Sequence, residues 1–451
     1  MRKKIFILLS VLYVLFAQTF LSYAAGKDTA IDGRIEEFKE KTGCKNVSVV
    51  IVDNDDTFVY GDEDALYQIG SMTKAFTGLA ILKLEKDGTL SDDDRIGDIL
   101  NGYEAYFEGE ACDITIRQLL THTSGYTNKE SVYPSASKDM SLMEWAYSVS
   151  GKELEFKPSE GYAYSNVNYN LLGAVIEKVS GMSYEEYMYS FILTPLGLKC
   201  TYVQAPLDKT DIVSGSRIGY RYAFRYDIPV YEGKIPAGYF YSGASDMERW
   251  IRIWLATEDI PDEYRELIDT VKKNLCNEGD YYSGWELFED GMIGHSGGTP
   301  NYSSRIVFSD KEGIGVCVLT NMNVAASTDS LCNAVFDIAS GKSAKFLKSD
   351  VWTVFDMVFL LISLAGALFI LITVITEKRR VILSLLIFVI ILLTSICITM
   401  PLVFGAGLKE IAFVWAPYSF TGGLIILLLE IPVGIIKLWK TKKDENREKT
   451  G

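Results

Sequence analysis

The sequence reads as an α+β domain followed by three helices that cross a membrane. Two patterns say so. Strand-like segments open and close the first 340 residues while the middle carries helical spacing, the arrangement in which terminal strands pair into one sheet. Near residue 350 the composition then shifts to three runs without charge, each long enough for a bilayer core of about 30 Å.

At the N-terminus, residues 1–25, MRKKIFILLSVLYVLFAQTFLSYAA, set three basic residues before an apolar run and end on the small residues Ser22 and Ala24. That predicts a secretory signal peptide, with an uncleaved anchor as the alternative; either exports the chain beyond it. Residues 26–345 are the expected extracellular domain. AIDGRIEEFKEKTG (30–43) has helical spacing, and 46–55 with 57–64 form an expected hairpin turning at Asn-Asp-Asp. Helices are expected at 72–87, 115–121, 168–179, 184–194 and 244–256, strands at 301–308 and 313–320, and a last helix at 327–339.

The membrane region is expected over 350–437, with runs at 357–376, 381–407 and 411–429, the last continuing to Ile436. The loop EKRR (377–380) and the basic tail 438–451 predict a cytoplasmic side, whereas the loop holding Lys409 and Glu410 is balanced. The C-terminus is therefore expected inside and residues 26–350 outside, in a multi-pass cell-membrane protein whose lipid partner is met through three helices. Trp352 and Trp439 fall where interfacial aromatics belong, and Glu430 inside the third run is expected to face other helices.

Charge narrows the partners. The formal charge is −15, yet residues 437–451 alone carry +3, so the remainder stands at −18. Such a body lacks the Lys and Arg that neutralise phosphates, which sets nucleic acid aside. The seven cysteines are widely spaced without CxxC, which does not fit zinc; mostly free or casually paired thiols are expected.

Three short stretches carry the chemistry. In IGSMTKAFTGLAIL (69–82), Ser71 and Lys74 stand at i and i+3 at the mouth of an apolar helix, on one face. A partly buried lysine at a helix N-terminus has its ammonium disfavoured, so its amine can take a serine proton. A capping serine with a surface lysine is the plainer reading. SASK (135–138) repeats the spacing inside a Pro/Ser-rich loop. In YSN (164–166), Tyr164 and Asn166 can offer a phenol and an amide to one site; YTN (126–128) is a competing match, and a structural tyrosine is the plainer reading. In GHSGGTPNYSS (294–304), His295 sits just before an expected strand, and Gly298 could lend an N–H to an oxyanion hole. A glycine-rich hairpin with a stray histidine is the alternative. His122, in LLTHTSG, reads as a structural residue near the site.

Taken together, S-x-x-K, then Tyr-x-Asn, then a glycine-bearing strand resembles the serine β-lactamase and penicillin-binding protein family, in the branch of class C β-lactamases, DD-peptidases, D-aminopeptidases and related esterases. LLTHTSGY and YSNVNYNLLG are similar to that family too, and the likeness covers about residues 30–340. It implies an antiparallel sheet flanked by helices, an all-helical subdomain, a site between them, and no metal or other cofactor. It also implies Ser71 as acylated nucleophile, Lys74 and Tyr164 as the proton-handling pair, and Asn166 as an orienting residue. The N–H groups of Ser71 and Gly298 would form the oxyanion hole. Where many relatives carry Lys-Thr-Gly, this chain has His295-Ser296-Gly297. A histidine titrating near neutrality would hold a substrate carboxylate less firmly than a lysine. The expectation is a membrane-tethered extracytoplasmic serine hydrolase acting on D-amino-acid peptides of the wall or on small esters or amides. A slowly acylated receptor for wall fragments or β-lactams, and a plain β-lactamase, are the alternatives. Oligomeric state is left open.

Overall fold

The computed structural model describes residues 29–54, 56–129, 137–206, 211–277 and 279–450. The expected leader (1–25) and Ser135 of the second Ser-x-x-Lys lie outside them.

Helix α1 (29–42) leads into strands β1 (Val47–Asp53) and β2 (Asp56–Tyr60), which pair as the expected hairpin. The chain then enters α2 (Thr73–Lys86), α3 (Ile116–Leu120), α4 (Leu142–Val149), α5 (Asn166–Ser180) and α6 (Tyr184–Met188). A hairpin of β3 (Ser216–Gly219) and β4 (Tyr222–Arg225) precedes α7 (Ala244–Trp254) and α8 (Asp262–Asn277). Next come strands β5 (Tyr281–Tyr282), β6 (Trp285–Leu287), β7 (Ile293–Gly298), β8 (Ser303–Ser309) and β9 (Ile314–Thr320). Helix α9 (Ala325–Ala339) ends the domain.

The main sheet is seven-stranded and antiparallel, in the order β2-β1-β9-β8-β7-β6-β5. Terminal strands meet in its middle, as the sequence predicts: Val47 lies opposite Thr320. Strands β8 and β9 are buried along their whole length because both faces are covered. On one face Ile31, Ile35 and Phe38 of α1 and Leu331 and Val335 of α9 join Val49, Val316 and Val318 in one apolar layer. The other face packs Phe76, Leu79 and Trp250 of α2 and α7 into a second layer, shared with the helical middle. Helix α2 is therefore buried from Thr73 through Leu84, which explains why its sequence is apolar all round.

Two expectations need correction. The strand expected after His295 is β8, but His295 itself also lies in a strand, β7, which pairs with β8 from Ile293↔Phe308 to Gly298↔Ser303. The helical middle is not purely helical either, since it carries short ladders at Ala105–Phe107 with Glu110–Cys112 and at β3–β4.

Among the described residues, three helices are long and apolar enough to cross a membrane: α10 (Val351–Ile375), α11 (Arg379–Phe404) and the Tyr418–Lys443 part of α12 (Tyr418–Thr450). The third run begins later than its composition suggests. Residues Ile411–Trp415 form one wide helical turn outside it, and Pro417 separates the two. Glu430 faces the other helices, its Oε1 accepting the Thr373 hydroxyl at 2.5 Å. All seven cysteines are free thiols.

The β3–β4 hairpin ties the two parts together. Its turn residues Tyr220 and Arg221 have φ of 50° and 69°, a left-handed pair that usually calls for Gly or Asn. Asp356 of α10 accepts both of their N–H groups at 2.7 Å. Buried Arg217 donates to the carbonyls of Ala412, Phe413 and Ala416, the open end of the 411–415 turn.

Candidate active site

Ser71 sits in a single tight turn, Gly70–Met72, that feeds α2. Thr73 fixes this turn, its hydroxyl donating to Gly70 O at 2.7 Å and accepting the Phe240 N–H at 3.2 Å. Gly70 has φ +51°, and a Cβ there would stand 2.4 Å from Gly298 N. Only glycine lets the serine turn lie this close to β7. That closeness lays the residue before Ser71 directly against the backbone of Gly297 and Gly298.

Lys74, one turn further on, is fully buried. Its Nζ lies 3.0 Å from Ser71 Oγ, 2.8 Å from Asn166 Oδ1 and 2.6 Å from Ala237 O. Burial pushes its pKa well below that of a free lysine. All three partners are uncharged oxygens, so no carboxylate among them holds a charge on Nζ. The spacing read from sequence thus brings Ser71 and Lys74 into hydrogen-bond contact.

Tyr164 and Asn166 enter from the start of α5. Ser165 caps that helix, its hydroxyl accepting the Val167 N–H. The Tyr164 ring lies 4.8 Å from Lys74 Nζ. Burial raises the Tyr164 pKa, so the phenol keeps its proton. His122 supports this corner. Its Nδ1 accepts the Ser165 N–H at 3.2 Å, which places its proton on Nε2, and its ring centre is 4.5 Å from that of Tyr164.

The third motif divides. His295 is buried, with Nδ1 2.6 Å from Ser296 O and Nε2 3.2 Å from Tyr281 OH. Its ring centre is 6.0 Å from that of Tyr164. Burial, with Lys74 nearby, pushes its pKa down to about 3, so it does not titrate near neutrality as the sequence suggested. Ser296 points off the opposite face of β7, where its hydroxyl donates to Asp329 at 2.9 Å and accepts from Arg305 at 2.7 Å. Gly297 faces the serine turn, where a Cβ would meet Ile69 O at 2.1 Å. Of the four, only Gly298 lines the cleft.

Sequence reasoning passed over two contributors. Asn128, from the competing YTN, accepts the Asn166 N–H at 2.7 Å and donates to Tyr164 O at 3.4 Å, holding the real motif in place. Its signal was the match itself. The Ile235–Gly238 turn supplies the Ala237 carbonyl, and Asn170 Oδ1 accepts its N–H at 3.0 Å; no local pattern marks it.

Ser71, Asn166 and Gly298 open onto a cavity of about 870 Å³. Residues 228–231 with Lys234 and Tyr239 form one wall, and Phe404 through Trp415 with Trp352 form the other.

A beta-lactamase family model matches residues 31–335. The chain belongs to the beta-lactamase family. It is 34% identical over 323 residues to Protein flp of Staphylococcus aureus (strain NCTC 8325 / PS 47), covering 65% of this chain and 63% of that protein. With Penicillin-binding protein 4* of Bacillus subtilis (strain 168) it shares 31% over 270 residues, 54% of this chain and 58% of that one. The chain thus spans under two thirds of the length of these relatives. Among solved structures, the octameric penicillin-binding protein homologue of Pyrococcus abyssi superposes with a TM-score of 0.60 at 24% identity, covering 73% of this chain and 80% of that one. The family expected from the three motifs is the family found, and this beta-lactamase family chain carries the fold of the serine hydrolases related to penicillin-binding proteins.

Proposed function

We propose that the protein is a membrane-tethered, extracytoplasmic serine hydrolase that works through an acyl-enzyme. Its substrates would be D-amino-acid peptides of the cell wall or small esters and amides. The observation that carries this reading is Lys74 Nζ held 3.0 Å from Ser71 Oγ with two carbonyl oxygens on its other side. As Ser71 Oγ bonds to the substrate carbonyl carbon, its proton passes to the Lys74 amine. The carbonyl electron pair moves onto the oxygen, which the N–H groups of Ser71 and Gly298 would stabilise. Collapse of this intermediate breaks the bond to the leaving group, which takes the Tyr164 proton, and Lys74 restores that proton to the phenol. Water then repeats the sequence on the acyl-enzyme, releasing the acid and returning the proton to Ser71 Oγ. Asn166 holds Lys74, and His295, neutral beneath Tyr164, positions the phenol. A neutral His295 offers no cation to a β-lactam carboxylate, which favours peptides, esters and amides.

The test is labelling of the full chain in lipid nanodiscs with a fluorescent penicillin and a fluorophosphonate. Adduct mapped to Ser71 and lost in Ser71→Ala supports the reading. If neither probe labels, and Ser71→Ala changes no hydrolysis rate, the reading fails. A slowly acylated sensor is the second reading, favoured by Arg217 and Asp356, which join the catalytic domain to the membrane helices more firmly than tethering needs. Stoichiometric labelling without product release would select it.

A further inference from the structure

The cavity in front of Ser71 is not closed by the catalytic domain alone. Its far wall is the segment between the second and third membrane helices, from Phe404 to Trp415, together with Trp352 at the start of the first. These residues stand at the ends of spans that begin or stop there, so this wall marks the level of the bilayer surface. Phe404 stacks on Trp352 with ring centres 5.1 Å apart, and Phe413 is exposed. The facing wall presents Ile228, Pro229 and Val230. Gly405, Ala406 and Gly407 line the cavity where the second of these helices ends. The segment is not a loose flap, because Arg217 binds three of its carbonyls and the Tyr226 hydroxyl donates to Phe413 O at 2.9 Å. The cavity thus runs from the nucleophile to this wall, apolar at Ile228, Pro229, Val230, Phe404 and Phe413 and polar at Lys234, Lys409 and Glu410.

We propose that the substrate is an amphiphile: an ester or amide whose carbonyl sits at Ser71 while its hydrocarbon part lies along the 404–415 wall and into the outer membrane surface. This rests on the reading of Ser71 as an acylated nucleophile and adds the class of molecule it acts on. The membrane helices are then part of the binding site.

The experiment compares p-nitrophenyl acetate with p-nitrophenyl octanoate on the full chain in lipid nanodiscs. Full burial of one methylene is worth about fourfold in affinity, so partial burial of the longer chain predicts kcat/KM at least tenfold above acetate. Phe413→Ser removes apolar wall, and Ala406→Trp obstructs the cavity; each lowers the octanoate-to-acetate ratio at least fivefold. A wild-type ratio near one, or ratios within twofold of wild type in both variants, overturns the proposal and leaves the serine hydrolase intact. Failure of the wild type to turn over either ester, with no label at Ser71, removes the hydrolase reading and this inference with it.

Discussion

The atoms around Lys74 Nζ are one hydroxyl and two uncharged carbonyl oxygens. No carboxylate is among these partners, and burial disfavours the charged form. Lys74→Arg is therefore expected to fail as badly as Lys74→Ala, since a guanidinium cannot give up its proton. Acylation should slow by about 10²–10⁴-fold, the usual contribution of a general base, measured by the rate of fluorophosphonate labelling. An arginine variant within tenfold of wild type would reject the amine as base. His295 makes a second test through stability. Below pH 6.5 the unfolded chain takes up a proton that folded His295 refuses until about pH 3, so stability falls as pH falls across that window. The loss is about 1.4 kcal/mol per pH unit. Thermal unfolding of wild type and His295→Gln between pH 6.5 and 5 should show a shallower slope in the variant; equal slopes refute the buried neutral assignment. Buried His122, held low for the same reason, leaves a residual slope in both. Ser71, Lys74, Tyr164 and Asn166 were legible because helix spacing and cap position aim side chains locally. The burial that neutralises His295 was not, because it comes from Tyr281, Tyr164 and Lys74 on other elements.

Between elements, the proposed oxyanion hole depends on the close pass of the serine turn against β7. Gly70→Ala would force a Cβ into a space 2.4 Å from Gly298 N and 2.7 Å from Gly297 C, at a φ that side chains avoid. The expected result is separation of the two N–H groups and a fall in kcat of about 10²–10³-fold, the cost of an oxyanion donor. Far-UV circular dichroism should stay native, and kcat within tenfold of wild type would mean that the contact does not matter. Strand β7 itself was hidden in the sequence, since Gly-His-Ser-Gly-Gly has no strand propensity and is extended only because β8 pairs along it. Helices α4 and α8 were missed for a different reason, as their signals are present. Ser141 and Glu144 form a capping box, and Tyr264, Leu267, Ile268, Val271 and Leu275 recur at helical spacing under a charged surface. The apolar α2 and the strands β1, β8 and β9 were plain because burial on all sides writes itself as composition.

At the scale of the whole molecule, the β3–β4 hairpin joins the beta-lactamase family domain to the apolar helices and the segment between them, through Asp356 and Arg217. Composition located the three spans but set the third at 411. What draws Ile411–Trp415 out of that run is Arg217, a residue almost two hundred positions earlier, whose guanidinium takes the carbonyls of Ala412, Phe413 and Ala416 and stacks 4.7 Å from the Tyr418 ring. The contact itself leaves no local trace; Pro417, which separates the turn from the helix, is the one local mark of the break. Arg217→Met keeps the apolar stem and deletes every guanidinium donor, so Ala416 O loses its side-chain partner while Ala412 O and Phe413 O keep only Thr421 and Tyr226. The segment should then open more often while the sheet core, held by its own layers, does not. Hydrogen exchange of the full chain in nanodiscs reads both at once. Amides of 411–416 should exchange about tenfold faster in the variant, with β8 and β9 unchanged. Equal exchange in 411–416 would show that Arg217 does not hold the wall of the cavity. Faster exchange throughout would show that the hairpin supports the domain rather than the joint.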